Sequence, residues 1–335
     1  MIIRCQVTDL ENRLGYYLAE SIYDPESGHI LLKANYQISQ SIIESLKNHC
    51  IDQILVSDGP VDENTAISSS SYDESISKSS ISKLKSSFDI VKSEIKNKLN
   101  ISGSTKDVIS NEIIEHIENT ISVIIEKVIS NKTSRIYLSM ISDRDDYIIQ
   151  HSANVTYLVL NLVARSKSIK KMLYDPDAGM KRFSTASYNP TDLIPLGMAC
   201  LLHDIGKVAM LDLIQARRKF SKEDPVWLEI KKHPIVGYKI LFGKKIDSHA
   251  LLGIKYHHEN FDGSGYPYGI DGYKIHPYAR IIRVVDSFDA ATSNRPGNDA
   301  RNPLECLKDI VNLNNKHYDP LVVTEFLAMI KNNIS

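Results

Sequence analysis

The stretch Leu201-Leu202-His203-Asp204-Ile205-Gly206-Lys207 constrains this chain more than any other. An apolar run delivers a His and an Asp side by side. Gly206 then reads as the stop of the helix, with Lys207 just beyond it. Neighbouring side chains on a helix diverge, so an adjacent His-Asp pair among apolar residues suits groups aimed together at ions past a helix end. On the heptapeptide alone, a capped helix terminus with a solvated Asp fits equally well.

The rest of the C-terminal half tips the balance. His151 sits on a strongly apolar helical pattern continuing through Val155, Leu158 and Leu162, on the face that packs inward. His233 lies in an amphipathic stretch with Trp227, Ile230, Val236 and Ile240. His257-His258 closes an apolar helix running from Ala250, and Asp286 stands among Ile281, Ile282, Val284, Val285 and Phe288. Buried imidazoles and carboxylates are costly unless paired or metal-bound. One such residue reads as an ordinary hydrogen-bonded core group; five His and two Asp do not. Imidazole and carboxylate donors suit iron, manganese or zinc, and the lack of thiolate ligands speaks against a closed structural zinc site.

In this order, and with Asn260-Phe261-Asp262-Gly263-Ser264-Gly265-Tyr266-Pro267 after the double His, the chain resembles the HD-GYP family of cyclic di-GMP phosphodiesterases from about Ser134 to Ser335. The resemblance implies a mainly α fold, an all-helical HD domain. It also implies a binuclear centre of two divalent ions, usually iron or manganese, that hydrolyses the 3′,5′ bonds of cyclic di-GMP to pGpG and on toward GMP in bacterial second-messenger signalling. By that resemblance His151, His203, Asp204 and Asp286 hold one ion, and Asp204 bridges to a second held by His233, His257 and His258. Lys207 joins Asp204 as a catalytic group by steadying charge on phosphoryl oxygens; a solvated helix-end Lys is the plainer reading. Arg295 clamps substrate phosphate. Tyr266, Gly265 and Asp262 shape the dinucleotide pocket in a loop linked to protein partners, and Arg280 and Tyr273 are weaker candidates there that fit structural roles equally well.

The chain departs from the family at three places. Some members carry a metal-binding Glu four residues before the first His; here that residue is Tyr147, so two ions are expected. After Arg295 the family has an aromatic and then a basic residue, where Gly297 and Asn298 stand. This favours a second reading: a catalytically weakened sensor, or an enzyme for a different cyclic dinucleotide. Third, Lys170 to Asp192 inserts turn-forming residues that read as a lid, a partner-binding loop, or a surface elaboration.

Upstream, residues 1–60 read as a small α+β module with strands at Tyr16–Ala19, Ile30–Leu32 and Gln53–Val56 and a helix over Ser39–Asn48, suited to regulation, dimer contacts or partner binding. Residues 61–83, rich in Ser, Asp and Glu, read as a flexible linker. Residues 84–132 read as two helices, one burying Leu84, Phe88, Val91, Ile95 and Leu99, the other opening at a Ser104–Asp107 capping box and burying Ile109, Ile113, Ile117, Ile121, Ile124 and Val128. They form either a hairpin on the following domain or a dimerising stalk. The HD-GYP domain is expected over 133–335.

A net charge of −1 gives no global field favouring a nucleic acid polymer or an anionic membrane. The four cysteines, without CxxC spacing, fit reduced thiols in the cytoplasm. No apolar run reaches the roughly 18 residues a membrane span needs. The expected ligand is a cyclic dinucleotide, with protein partners and a homodimer left open.

Overall fold

The computed structural model describes residues 2–19, 22–23, 30–32, 37–48, 53–60, 70–102, 108–130, 147–173, 189–210, 224–293 and 300–334. The fold is mainly α, and the chain divides into two compact units, Met1–Asp73 and Glu74–Ser335.

In the first unit, β1 (Ile2–Gln6), β5 (Gln53–Ser57) and β2 (Tyr17–Leu18) form an antiparallel sheet in the order β1-β5-β2, with Ile2 opposite Ser57 and Gln6 opposite Gln53. A short hairpin, β3 (Ile22–Tyr23) with β4 (Ile30–Leu32), stands apart as a second sheet. Helix α1 (Gln40–Asn48) closes one core, in which Leu10, Leu18, Ile43, Leu46 and Val56 are buried. The β1 strand was not expected.

Helix α2 runs Ser70–Ser102, and the second unit begins within it, at Glu74. Its first turns are helical inside the Ser-rich stretch read as a linker, so that expectation is corrected from Ser70 onward: Ser and Lys are only mildly unfavourable to a helix, and the segment propagates from a well-packed one. Leu84, Phe88, Val91 and Ile95 are fully buried on one stripe, as their spacing requires. The next helix, α3 (Asn111–Ser130), starts later than expected; the supposed capping box lies outside the described residues, and Ile109 packs into the core from just before the helix. Both helices share one core with the domain that follows, which favours the hairpin over the stalk.

Helix α4 (Tyr147–Arg165) is buried without interruption from Ile148 to Val163. A helix buried on every side belongs at the centre of a bundle, and α3, α6 (Ile194–Leu202), α11 (Pro277–Thr292) and α13 (Pro320–Ile334) surround it. Between them run α5 (Lys167–Leu173), α7 (Ile205–Val208), α8 (Pro225–Ile230), α9 (His233–Leu241), α10 (Ser248–Tyr256) and α12 (Pro303–Asn312). The start of the proposed insert is the end of α5, with Leu173 in the core; residues 174–188 lie outside the described ones.

Gly206 does not stop a helix. It lies inside α7, where a Cβ would come within 2.1 Å of the His233 carbonyl oxygen and 2.7 Å of the Gly237 nitrogen. Glycine is there because two backbones touch, and that contact sets α9, and with it His233, against the His-Asp pair.

Candidate metal centre

Six structural positions deliver the seven side chains. His151 comes from the first turns of α4, His203 caps the end of α6, and Asp204 precedes α7. His233 opens α9, His257 and His258 follow α10, and Asp286 lies in α11. Their ligand atoms fall into two sets, each within 4.8 Å: His151, His203 and Asp286; and Asp204, His233, His257 and His258. All are buried except His258, which is partly so.

The hydrogen bonds fix which nitrogens face inward. His203, His233 and His257 each place Nδ1 2.7 Å from the carbonyl oxygen three residues earlier, at Cys200, Ile230 and Ile254. A carbonyl can only accept, so each Nδ1 carries the proton and, in the neutral ring, each Nε2 presents a lone pair. Yet the Nε2 atoms of His233 and His257 stand 3.2 Å apart. Two lone pairs so placed repel unless a cation lies between them.

Asp204 connects the sets. Its Oδ1 faces the Nε2 atoms of His233 at 3.1 Å and His257 at 3.7 Å, and among the described residues no hydrogen-bond donor satisfies it. Its Oδ2 faces His203 at 3.5 Å and His151 at 3.8 Å, and accepts from Lys207 Nζ at 2.5 Å. One carboxylate thus offers one oxygen to each set, the arrangement of a bridging ligand. An unsatisfied buried carboxylate oxygen costs free energy, and divalent cations would satisfy it. The donor set therefore fits metal ions.

Burial holds His203 down to about 3 and His233 down to about 4, and it also depresses His258, with His257 and His233 adding to the effect. These rings are neutral at pH 7, as metal ligands must be. His151 differs. Burial pushes it down, but Tyr147, Asp286 and Asp289 outweigh that and raise it, because it lies between Asp286 Oδ1 at 3.0 Å and Asp289 Oδ2 at 2.7 Å. The positive charge it draws there is one that a metal cation supplies in place of the proton. For Asp204, the cost of burial is outweighed by Lys207 and His203, which hold the carboxylate well below its usual range.

Two supporting groups escaped the sequence reading. Asp289 accepts from His151 Nδ1 and also from Asn154 Nδ2 at 2.9 Å, a carboxylate-histidine pair of the kind that orients a metal-binding ring. Its spacing three residues after Asp286, on the same helix face, was the available signal. Glu259, nearly fully buried, accepts from the Tyr268 and Gly269 backbones at 2.7 and 3.0 Å and so ties down the loop after the double His.

The expected substrate contacts fare unevenly. The Tyr266 ring stacks on His258 with centroids 4.7 Å apart, so one face is already covered. Asp262 Oδ1 accepts from the Ser264 nitrogen and hydroxyl at 2.9 and 2.6 Å, and a Cβ on Gly265 would come within 2.2 Å of the Asn260 nitrogen. Both residues build the turn. Arg280 is corrected: it is buried, donates to the Ile275 carbonyl and pairs with Asp319, so its guanidinium is committed inside the protein. Tyr273 is largely exposed, with Arg280 beneath its ring. Arg295, Gly297 and Asn298 lie outside the described residues. Tyr147 stacks on His151 with ring centroids 5.3 Å apart.

The seven side chains thus close around the centre of a helical bundle, with adjacent His and Asp in the middle and further His and Asp brought by four other helices. Residues 180–322 match the HD domain family model. The chain is 28% identical over 216 residues to a cyclic di-GMP phosphodiesterase of Pseudomonas aeruginosa, covering 64% of this chain and 47% of that protein. It is 38% identical over 133 residues to the cyclic di-GMP phosphodiesterase response regulator RpfG of Xanthomonas campestris pv. campestris, covering 39% and 35%. The chain thus spans less than half the length of either relative. An HDG“Y”P protein from Bdellovibrio bacteriovorus shares the fold, with a TM-score of 0.50 at 17% identity, over 99% of this chain and 100% of that one. With its HDxGK and HHExxDGxGYP motifs, the chain is similar to the HD-GYP family.

Proposed function

We propose that the chain is a metal-dependent phosphodiesterase that opens cyclic di-GMP to pGpG. The observation carrying this reading is Asp204, whose two carboxylate oxygens each face a separate set of imidazoles. His151, His203 and Asp286 would hold one divalent ion and His233, His257 and His258 the other, with Asp204 shared; iron or manganese suits these donors. Such a pair, when bound, lowers the pKa of a water and offsets charge on the attacking and leaving oxygens of an in-line displacement at phosphorus.

The chain's own groups do the rest. Lys207 is held protonated: burial pushes it down, but Asp204 and Asp286 outweigh that. It therefore carries a fixed positive charge beside Asp204, where phosphoryl charge would grow. Asp289 fixes the His151 ring, Tyr266 covers His258, and Glu259 keeps the loop between them in one shape. Tyr147 in place of an acidic ligand supports two ions. No helix among the described residues is long and apolar enough to cross a membrane, and a cyclic dinucleotide messenger fits a cytoplasmic enzyme. The sheet-containing first unit would then serve as a regulatory or partner module.

Gly297 and Asn298, in place of an aromatic and a basic residue, favour one alternative: a sensor with weak turnover, or an enzyme for another cyclic dinucleotide. Incubating iron- or manganese-loaded protein with cyclic di-GMP and related dinucleotides, with Asp204→Ala as control, separates the readings. Products that vanish in the variant support the enzyme; tight binding without products supports the sensor; neither binding nor products sinks both.

A further inference from the structure

We propose that Arg283 is a substrate-binding residue, holding an anionic phosphodiester oxygen beside the metal centre. This rests on the phosphodiesterase reading above. Along α11, Arg283, Ser287 and Ala290 form the partly exposed stripe, at i, i+4 and i+7, while Asp286 and Asp289 are buried beside it. Arg283 lies one turn before Asp286. Its Nε and Nη2 donate to Asn260 Oδ1 at 3.0 and 2.9 Å, and its Nη1 donates to Ser287 Oγ at 2.6 Å. Asn260 comes two residues after His258, and Ser287 follows Asp286. The guanidinium therefore sits where the double-His loop meets the helix that carries the last metal ligand.

Charge makes the case. Every one of these partners is neutral, and among the described residues no carboxylate forms an ion pair with Arg283. A half-buried guanidinium without a counter-ion is costly, and two of its five N–H groups are left over after the three bonds above. Its plane is fixed, since it also lies 5.4 Å from the Tyr318 ring centroid. Arg280, one turn earlier on α11, is the contrast: its guanidinium has Asp319. A planar, pre-oriented cation with unused donors suits a phosphate oxygen. A cyclic dinucleotide carries two phosphodiesters, and only one can be at the metal pair. Gly297 and Asn298 bring no cation of their own in the sequence, and Arg283 provides one.

The test is calorimetric titration of the full metal-loaded chain with cyclic di-GMP at two salt concentrations. The expected result is a Kd about 10- to 100-fold weaker in Arg283→Gln, as for a lost charge-assisted hydrogen bond. Its salt dependence should be shallower by about one ion, KM should rise in step with Kd, and melting temperature and metal content should be unchanged. Arg283→Lys should keep the salt dependence and recover part of the affinity. An unchanged Kd in Arg283→Gln overturns the assignment. So does an equal loss in Gln and Lys variants with falling metal content, which would make the residue a brace for Asn260. A wild-type chain that neither binds nor cleaves cyclic di-GMP overturns the phosphodiesterase reading itself, a result that precedes any comparison of variants.

Discussion

Substituting Gly206 by Ala should damage the centre without touching any ligand. The added Cβ would lie 2.1 Å from the His233 oxygen, 2.9 Å from its carbonyl carbon and 2.7 Å from the Gly237 nitrogen. All three are backbone atoms, so no rotamer change relieves the clash. Reaching a carbon-oxygen contact of about 3 Å requires α7 and α9 to part by about 1 Å, an overpacking cost of about 1–3 kcal/mol. The shift falls on His233, the first residue of α9, whose Nε2 is 3.1 Å from Asp204 Oδ1. Metal-imidazole bonds tolerate only about 0.2 Å, so the His233, His257 and His258 set should lose its ion first. We expect metal content near one per chain after dialysis against a mild chelator, a lower urea midpoint, and turnover down by about 10²-fold, as for a misplacement of about 1 Å. A Gly206→Ala protein with wild-type metal content and midpoint would refute the argument that this contact positions the site.

Three further outcomes follow. Asp289→Ala removes the partner of His151 Nδ1 and should weaken metal retention by about 10- to 100-fold, read by metal analysis after chelator challenge, with the melting temperature of the metal-free chain changed far less. Asp319→Asn keeps the bond to the Leu321 nitrogen but strands the Arg280 charge inside the protein; breaking a buried pair costs about 3–5 kcal/mol, and thermal unfolding should show it. His276 is held down to about 3, chiefly by burial, then by His249 and Arg280, and its Nδ1 accepts from the Tyr278 nitrogen only while unprotonated. Because its folded pKa lies below the unfolded value, the unfolded chain binds the proton first. Stability from this group is complete above about pH 6.5 and is lost as pH falls toward about 3. His276→Asn should therefore lose less stability than wild type between pH 7 and pH 4 in denaturant titrations, and an equal loss would contradict the assignment.

Much of the site was legible because its residues break a strong pattern. An imidazole or carboxylate on an apolar helix face stands out against periodic Ile, Leu and Val, and the same periodicity named Phe88, Val91, Ile95, Ile117 and Ile121 as core. What stayed hidden depends on distant contacts. Gly206 looks like a helix stop until His233, 27 positions later, is seen against it. Arg280 and Arg283 are the same residue type three apart; only Asp319, far along the chain, distinguishes the paired one from the unpaired. The first turns of α2 read as a linker because Ser-rich composition reports weak intrinsic propensity, whereas the helix extends from a buried face further along. Strand β1 is five residues long and needed its partner β5 to be recognised.

The central claim is that two groups of side chains hold two cations joined by Asp204. Anomalous diffraction from crystals of the metal-loaded chain, measured on both sides of the metal absorption edge, tests it directly. The account predicts two peaks, one among His151, His203 and Asp286 and one among His233, His257 and His258, each next to a different oxygen of Asp204. A single peak, or a pair of ions that leaves Asp204 uncoordinated, would contradict it.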